Sequence, residues 1–65
     1  MLTVQDVSGR ELDEAMRHGR FRLDIGRLRV KVTSGLPDFP QALRALYGRH
    51  PCALNGGEYD FDITI

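Results

Sequence analysis

The chain has 65 residues, of which 42% are apolar and 28% charged, and its nine basic residues balance nine acidic ones. This balance argues against a dedicated binder of nucleic acid or anionic membranes, and no apolar run approaches the ~20 residues of a membrane span. A core this small rarely supplies more than ~3–5 kcal/mol, and the single cysteine excludes an internal disulfide, so we expect one domain that relies on a partner surface.

The first predicted element is a short helix that begins after Ser8. Ser8 followed three residues later by Glu11 is a capping-box pattern, which satisfies backbone N–H groups of the first turn. Apolar residues then recur at the spacing of one helix face, and Gly19 is placed to end the helix. The expected buried face consists of Leu12, Ala15 and Met16, with Val4 and Val7 packed ahead of it.

A β-hairpin over residues 20–33 is the clearest pattern in the sequence. Apolar and polar residues alternate on both sides of Gly26-Arg27, which predicts a two-residue type II′ turn with Gly26 at its first position. In this register Ile25 faces Leu28, and a slip of one residue would put apolar side chains on both faces. The predicted core face comprises Phe21, Leu23, Ile25, Leu28, Val30 and Val32.

A second helix is predicted from about Asp38 to Tyr47. Asp38 is the expected N-cap, and Pro40 is compatible with the first turn because its missing N–H would have no helical partner. Gly48 is expected to end the helix in the left-handed conformation. The apolar face of this helix comprises Phe39, Leu43, Leu46 and Tyr47.

A last strand is predicted at the end of the chain. Residues 51–57 are interpreted as a loop, and alternation resumes over Tyr59–Ile65. The order α-β-β-α-β predicts a small α+β domain in which two helices pack on one face of a three-stranded sheet. The last strand should run parallel to the second strand, and we place it beside the first strand, antiparallel to it. Because the chain stops on this strand, we expect residues 1–65 to be a single domain of a longer protein.

Five basic residues on the outer face of the hairpin form the candidate interaction surface. Such a cluster can bind phosphate or nucleic acid, but no aromatic residues alternate with it to stack on bases. Glu58, Asp60 and Asp62 lie on the same polar side of the sheet and offer cross-strand partners. We therefore interpret the cluster as a solvated charge ladder and keep a binding patch as the alternative. Its members are Arg20, Arg22, Arg27, Arg29 and Lys31.

No combination of residues predicts a catalytic or metal site. A zinc site needs about four ligands, and only three Cys and His residues are present. Cys52 would need a base and an orienting group to act as a nucleophile, and only His50 is near in sequence, so we expect a buried structural thiol. The sequence lacks the G-x-x-x-x-G-K-[ST] motif, so no cofactor or enzymatic activity is expected of this chain alone. The lone thiol and the absence of a signal-peptide pattern indicate the cytoplasm.

Three segments form a combined pattern: FRLDIGRLRVKVTSGLP (21–37), ALRALYGRHP (42–51) and EYDFDITI (58–65). An Ile-Gly hairpin leads into a basic alternating strand that ends in S-x-L-P, and a helix ending in L-Y-x-x-H/Y-P precedes a final aromatic strand. This pattern resembles the N-terminal region of bacterial HPr kinase-related proteins, which are P-loop kinases related to HPr serine kinase. The resemblance covers roughly residues 20–65, and the first helix matches in position and character alone.

The resemblance implies a non-catalytic role for these residues. In HPr kinase-related proteins the ATP-binding glycine loop and the catalytic residues lie in a C-terminal domain, and none of those motifs has a counterpart in this chain. The implied function is that of an N-terminal accessory domain that contacts the downstream kinase-like domain or another protein. The alternative is a free-standing small protein-interaction or regulatory module.

Overall fold

Two helices and a four-stranded sheet make up the fold, and the computed structural model describes all 65 residues. The predicted α+β class is confirmed, but the sheet has one strand more than the three predicted. Neither helix is long and apolar enough to cross a membrane. A 3-10 turn (Val4–Asp6) is followed by α1 (Gly9–Arg17), β1 (Arg22–Ile25), β2 (Leu28–Thr33), α2 (Phe39–Tyr47), β3 (Cys52–Ala53) and β4 (Phe61–Thr64).

Helix α1 begins and ends as its sequence predicts. The Ser8 hydroxyl accepts a hydrogen bond from the Glu11 N–H (3.2 Å) and donates one to the Glu11 carboxylate (3.1 Å). Gly19 has a φ of 68° just beyond the helix, a conformation in which glycine avoids the strain of a side chain. The predicted apolar face is confirmed, because the residues assigned to it are buried: Leu12, Ala15, Met16, and ahead of them Val4 and Val7.

The hairpin of β1 and β2 has the predicted register. Ile25 pairs with Leu28, and Leu23 pairs with Val30. Gly26 has a φ of 61° and Arg27 has a negative φ, which fits the type II′ turn because type I′ needs positive values at both positions. The core-face prediction is wrong for Leu28, which flanks the turn, lies outside the core cluster and is 47% exposed; Ile25 is only partly buried. The other four residues are buried: Phe21, Leu23, Val30 and Val32.

The segment predicted as a loop contributes the fourth strand, β3. Leu23 of β1 lies opposite Cys52 in an antiparallel pairing. The other side of β3 is bonded to the N-terminal segment, because the Cys52 N–H donates to the Leu2 carbonyl (3.0 Å) and Val4 donates to the His50 carbonyl (3.0 Å). A two-residue strand is too short for alternation to reveal it in a sequence, so the loop prediction for residues 51–57 is wrong at this point.

Strand β4 lies beside β2 and parallel to it, in the sheet order β3-β1-β2-β4. The predicted orientation relative to β2 is confirmed, whereas the placement beside β1 is wrong. Because β3 occupies the outer side of β1, the last strand pairs with the open side of β2. Val30 pairs with Phe61 and Val32 with Ile63, so the apolar side chains of β4 lie on the same side of the sheet as those of β2.

Helix α2 spans Phe39–Tyr47 and follows Asp38, which makes no side-chain capping hydrogen bond. The prediction of a left-handed Gly48 is wrong, since its φ is −56°. A glycine is needed here for space, because a Cβ would lie 2.7 Å from the carbonyl oxygen of Arg44. The Gly48 carbonyl also accepts a hydrogen bond from the Gln5 N–H (2.8 Å), so the end of α2 is joined to the N-terminal segment.

The core is centred on α1 and the hairpin. Ser34, a buried polar residue at the end of β2, donates its N–H to the Met16 carbonyl (3.2 Å) and accepts at Oγ from the Leu36 N–H (3.1 Å). These bonds tie the end of the hairpin to α1 and give the buried N–H and Oγ of Ser34 hydrogen-bond partners. The largest fully buried side chains are Phe21, Leu12, Met16 and Val4.

Candidate protein-contact surface

An apolar groove lies between α2 and the β4 side of the sheet. Its volume is about 290 Å³, and all eleven residues that line it are apolar. Leu46 on α2 is 75% exposed, and Ile63 and Ile65 across from it are 45% and 51% exposed. An exposed apolar surface of this kind is typical of a site that contacts another protein.

The groove exists because the apolar side of β4 has no helix above it. Val30 and Val32 of β2 are buried, whereas their register partners on β4, Phe61 and Ile63, are about half exposed. The spacing of Leu46 predicts that it belongs to a buried helix face, and the predicted sheet lies with its last strand beneath the helices. The surface was missed because its exposure depends on which side of the sheet the last strand joins.

The hairpin's basic residues do not form one free patch. The Arg20 guanidinium lies 3.6 Å from the carboxylate of Glu14 on α1. Arg22 is paired with Asp24 of the same strand at 2.9 Å, rather than across the sheet. Arg27 lies in the turn and belongs to none of the ion pairs. The side chains of the predicted surface are therefore directed to separate partners, and a binding role for them stays a prediction.

Arg29 and Lys31 are paired with the acidic residues around β4. The Arg29 guanidinium donates to Glu58 (3.1 Å) and lies 3.5 Å from Asp60, and its backbone N–H donates to the Asp60 carboxylate (2.9 Å). Lys31 Nζ lies 3.9 Å from the carboxylate of Asp62. Of the charge ladder that the sequence predicts, the part formed by Arg29 and Lys31 is therefore observed between β2 and the last strand, where it helps to define their register.

Hydrogen bonds shift the pKa values of three surface groups. The backbone N–H of Arg29, and then its guanidinium, lower the pKa of Asp60. The same pairing with Asp60 and Glu58 raises the pKa of Arg29. Near the N-terminus, the hydroxyl and then the N–H of Thr3 lower the pKa of Asp6. Asp60 and Asp6 thus favour the folded state while they are ionised.

We expect the domain to lose stability in acid as these two carboxylates become protonated. Each has a lower pKa in the folded than in the unfolded chain, so its contribution is present above about pH 4 and is lost as the pH falls through the folded pKa. Urea denaturation over a series of pH values should show less acid sensitivity in Asp60→Asn than in the wild type. Asp38→Asn is the control, because Asp38 makes no capping hydrogen bond. Equal acid sensitivity in all three proteins would contradict the assignment.

Cys52 is buried at the start of β3, where 7% of it is exposed. Burial raises the pKa of its thiol, and the nearby carboxylates of Asp24 and Asp6 raise it further. Such a thiol is a poor nucleophile near neutral pH. The ring of His50 packs edge-on against Tyr47, with 5.3 Å between the ring centroids. No group of three or more His, Cys, Asp or Glu side chains is placed to hold a metal ion.

The Cys52 thiol should react with an aromatic disulfide reagent at least about 100-fold more slowly in the native protein than in concentrated urea, because reaction requires local or global opening. Stopped-flow absorbance measures both rates. The matched control carries Cys52→Ser and Asn55→Cys, which moves the thiol to an exposed position on the following turn. Native and unfolded rates within about tenfold of each other for the wild type would show that Cys52 is accessible.

Comparisons with protein families, curated proteins and solved structures give no match for this chain. The basic hairpin face and the apolar groove are therefore compared as contact surfaces by the state of their own side chains. Four of the five basic hairpin side chains take part in ion pairs with acidic ones. In the groove, by contrast, the apolar side chains of Leu46, Ile63 and Ile65 are 45–75% exposed, so the groove is the stronger candidate for contact with another protein.

Proposed function

We propose that this chain is the non-catalytic N-terminal accessory domain of an HPr kinase-related P-loop kinase, and that it acts through protein–protein or interdomain contact. The observation that carries the contact role is the exposed apolar groove between α2 and β4. A neighbouring domain seated there would bury Leu46, Ile63 and Ile65. That burial would add the hydrophobic stabilisation that a chain of this size lacks by itself.

The groove and the family resemblance involve the same parts of the chain. Ten of the eleven lining residues, all but Phe39, lie in the three segments that carry the resemblance. Segment 21–37 supplies the floor, segment 42–51 supplies one wall with Leu46, and segment 58–65 supplies the other wall with Ile63. If those segments are inherited from an HPr kinase-related ancestor, the contact surface is inherited with them.

The family assignment is tested by the gene. The reading frame that encodes residues 1–65 should continue into a region that contains the G-x-x-x-x-G-K-[ST] motif of a P-loop kinase. A stop codon directly after Ile65, or a downstream region without a glycine-rich phosphate-binding loop, would contradict this assignment. It would favour the free-standing interaction module, whose partner would be encoded separately.

The contact role is tested by binding to the kinase-like region. Isothermal titration of the 65-residue chain with that region should give an affinity at least about tenfold lower for Leu46→Asp than for the wild type, because a charge would enter an apolar contact. Leu36→Asp is the matched control, since Leu36 is 51% exposed and does not line the groove. Equal effects of the two substitutions, or no binding by the wild type, would contradict interdomain contact through the groove.

A further inference from the structure

The two edges of the sheet differ in how they are protected. β3 is two residues long, and its outer side is bonded to the N-terminal segment through Leu2 and the Thr3–Pro51 bridge. β4 forms the opposite edge, is four residues long and has no neighbouring strand on its outer side. Proteins protect such an edge by keeping it short or with charged residues, proline or a bulge; Phe61–Thr64 has one charged residue, Asp62, and no proline or lysine.

The backbone of β4 offers hydrogen-bonding groups at this open edge. The Ile65 N–H donates to the Thr33 carbonyl of β2 (2.8 Å). Successive residues of a strand direct their backbone groups to opposite sides, so Ile63 shares the β2 side with Ile65. Asp62 and Thr64 therefore direct their N–H and C=O groups away from the sheet. These are the groups that an added strand would pair with.

The side chains of β4 restrict which strand can be added. Phe61, Ile63 and Ile65 form a half-exposed apolar row on the groove side. The other side has three acidic residues, Glu58, Asp60 and Asp62, which pair with two basic residues of β2, Arg29 and Lys31, and so leave an excess of one negative charge. The Glu58 side chain is 85% exposed and that of Asp62 is 46% exposed, so both can be reached by a further basic residue. A complementary strand would carry apolar residues toward the groove and basic residues on the opposite side, at alternate positions.

We propose that the open edge of β4 binds an extended segment of a partner protein in which apolar residues alternate with Lys or Arg. The inference rests on the proposed contact function and specifies the chemistry of the partner. The apolar side chains of the segment pack beside Phe61, Ile63 and Ile65, on the side of the sheet that also carries the groove. Its basic side chains lie beside Asp62 and Glu58, and its backbone pairs with Asp62 and Thr64.

A second copy of this chain matches the edge less well. Antiparallel pairing of two β4 strands centred on Asp62 keeps both apolar rows on one side but places the Asp62 residues of the two copies directly opposite each other, where like charges repel. Pairing centred on Ile63 places Asp62 opposite Thr64 and leaves the two Asp62 residues as diagonal neighbours. A helix seated in the groove would use the apolar row but neither the acidic side nor the backbone edge.

Peptide titration of the isotope-labelled chain, followed by amide NMR, tests this inference. The first peptide is acetyl-Val-Arg-Val-Lys-Val-Arg-Val-amide, the second has Glu at each basic position, and the third is the first with alternate backbone nitrogens methylated at the pairing edge. The first should shift the amide resonances of Asp62 and Thr64. The acidic and methylated peptides should each bind at least about tenfold more weakly.

Two variants separate the backbone from the charge contribution. Thr64→Pro removes an N–H from the open edge without removing a bond to β2, and should lower the affinity for the basic peptide by about tenfold or more. Thr64→Val keeps the N–H and should leave that affinity unchanged. Asp62→Asn should lower the affinity for the basic peptide by about two- to fivefold. The methylated peptide tests backbone pairing on the wild-type chain even if Thr64→Pro fails to fold.

Equal affinities for the basic and acidic peptides would overturn the inference, and so would amide resonance shifts centred on β3 instead of β4. Amide shifts of Asp62 and Thr64 that depend on protein concentration without peptide would also overturn it, because they would identify a second copy as the occupant. The outcome is separable from that of the proposed function. Groove-dependent binding of the kinase-like region without peptide binding would overturn strand addition alone. Peptide binding at β4 without binding of that region would overturn the family role alone.

Discussion

Replacing Phe21 by alanine should unfold most of the protein at room temperature. Phe21 is fully buried, and its carbonyl accepts a hydrogen bond from the Val32 N–H (3.1 Å), so the side chain is held in the centre of the core. Truncating a buried phenylalanine costs about 3–5 kcal/mol, because apolar burial is lost and a cavity remains. That loss is comparable to the whole stability, about 3–5 kcal/mol, expected of a core this small.

Far-UV circular dichroism with urea and sulfate titrations measures this loss, because sulfate restores the folded state of a marginal variant. Phe61→Ala is the matched control. Phe61 is 54% exposed on β4, so the same truncation there should cost less than about 1 kcal/mol. If Phe21→Ala and Phe61→Ala had similar urea midpoints, the core could not be centred on α1 and the hairpin.

Leu43→Ala and Leu46→Ala, three positions apart on α2, should differ sharply in stability. Leu43 is 5% exposed and belongs to the core, so we expect Leu43→Ala to lower the free energy of unfolding by about 2–5 kcal/mol. Leu46 is 75% exposed, so Leu46→Ala should change it by no more than about 0.5 kcal/mol. The helix propensity terms are the same in both variants, so burial alone decides the difference.

Thermal and urea unfolding of the two variants measure this contrast. A large loss of unfolding free energy in Leu46→Ala would mean that the Leu46 side chain is buried in the isolated chain, and the apolar groove would then be closed. A small loss in Leu46→Ala, together with weaker binding by Leu46→Asp, would show that Leu46 contributes to partner contact and not to the stability of the fold. That result distinguishes a docking surface from a loosely packed core.

Local patterns predicted the parts of the fold whose cause lies within a few residues. The cap at Ser8 and the turn at Gly26 depend on bonds and dihedral angles that neighbouring residues supply. The hairpin register follows from alternation, because a slip of one residue would reverse which face is apolar. Charge pairing between the basic hairpin face and the acidic last strand was predicted in the same way, but only the structure shows that Arg29 and Lys31 of β2 are the partners.

Other features depend on contacts between distant segments, and local patterns could not reveal them. Cys52 joins β3 because the N-terminal segment bonds to its outer side. Gly48 looked like a left-handed helix end, but the glycine is needed because a Cβ would meet the carbonyl of Arg44. Leu46 has the spacing of a core residue, yet it is exposed because no element packs against it.

By itself, the sequence determined the helices, the hairpin and which residues share an apolar face, because propensity, capping and periodicity act over a few residues. Only the tertiary structure decided that β4 joins β2 at the far edge of the sheet. That placement leaves Ile63 and Ile65 beyond the helices, beside an edge with unpaired backbone groups and acidic neighbours. The candidate site is therefore a consequence of strand order, which is set by competition between distant segments for the same edge and has no local signature.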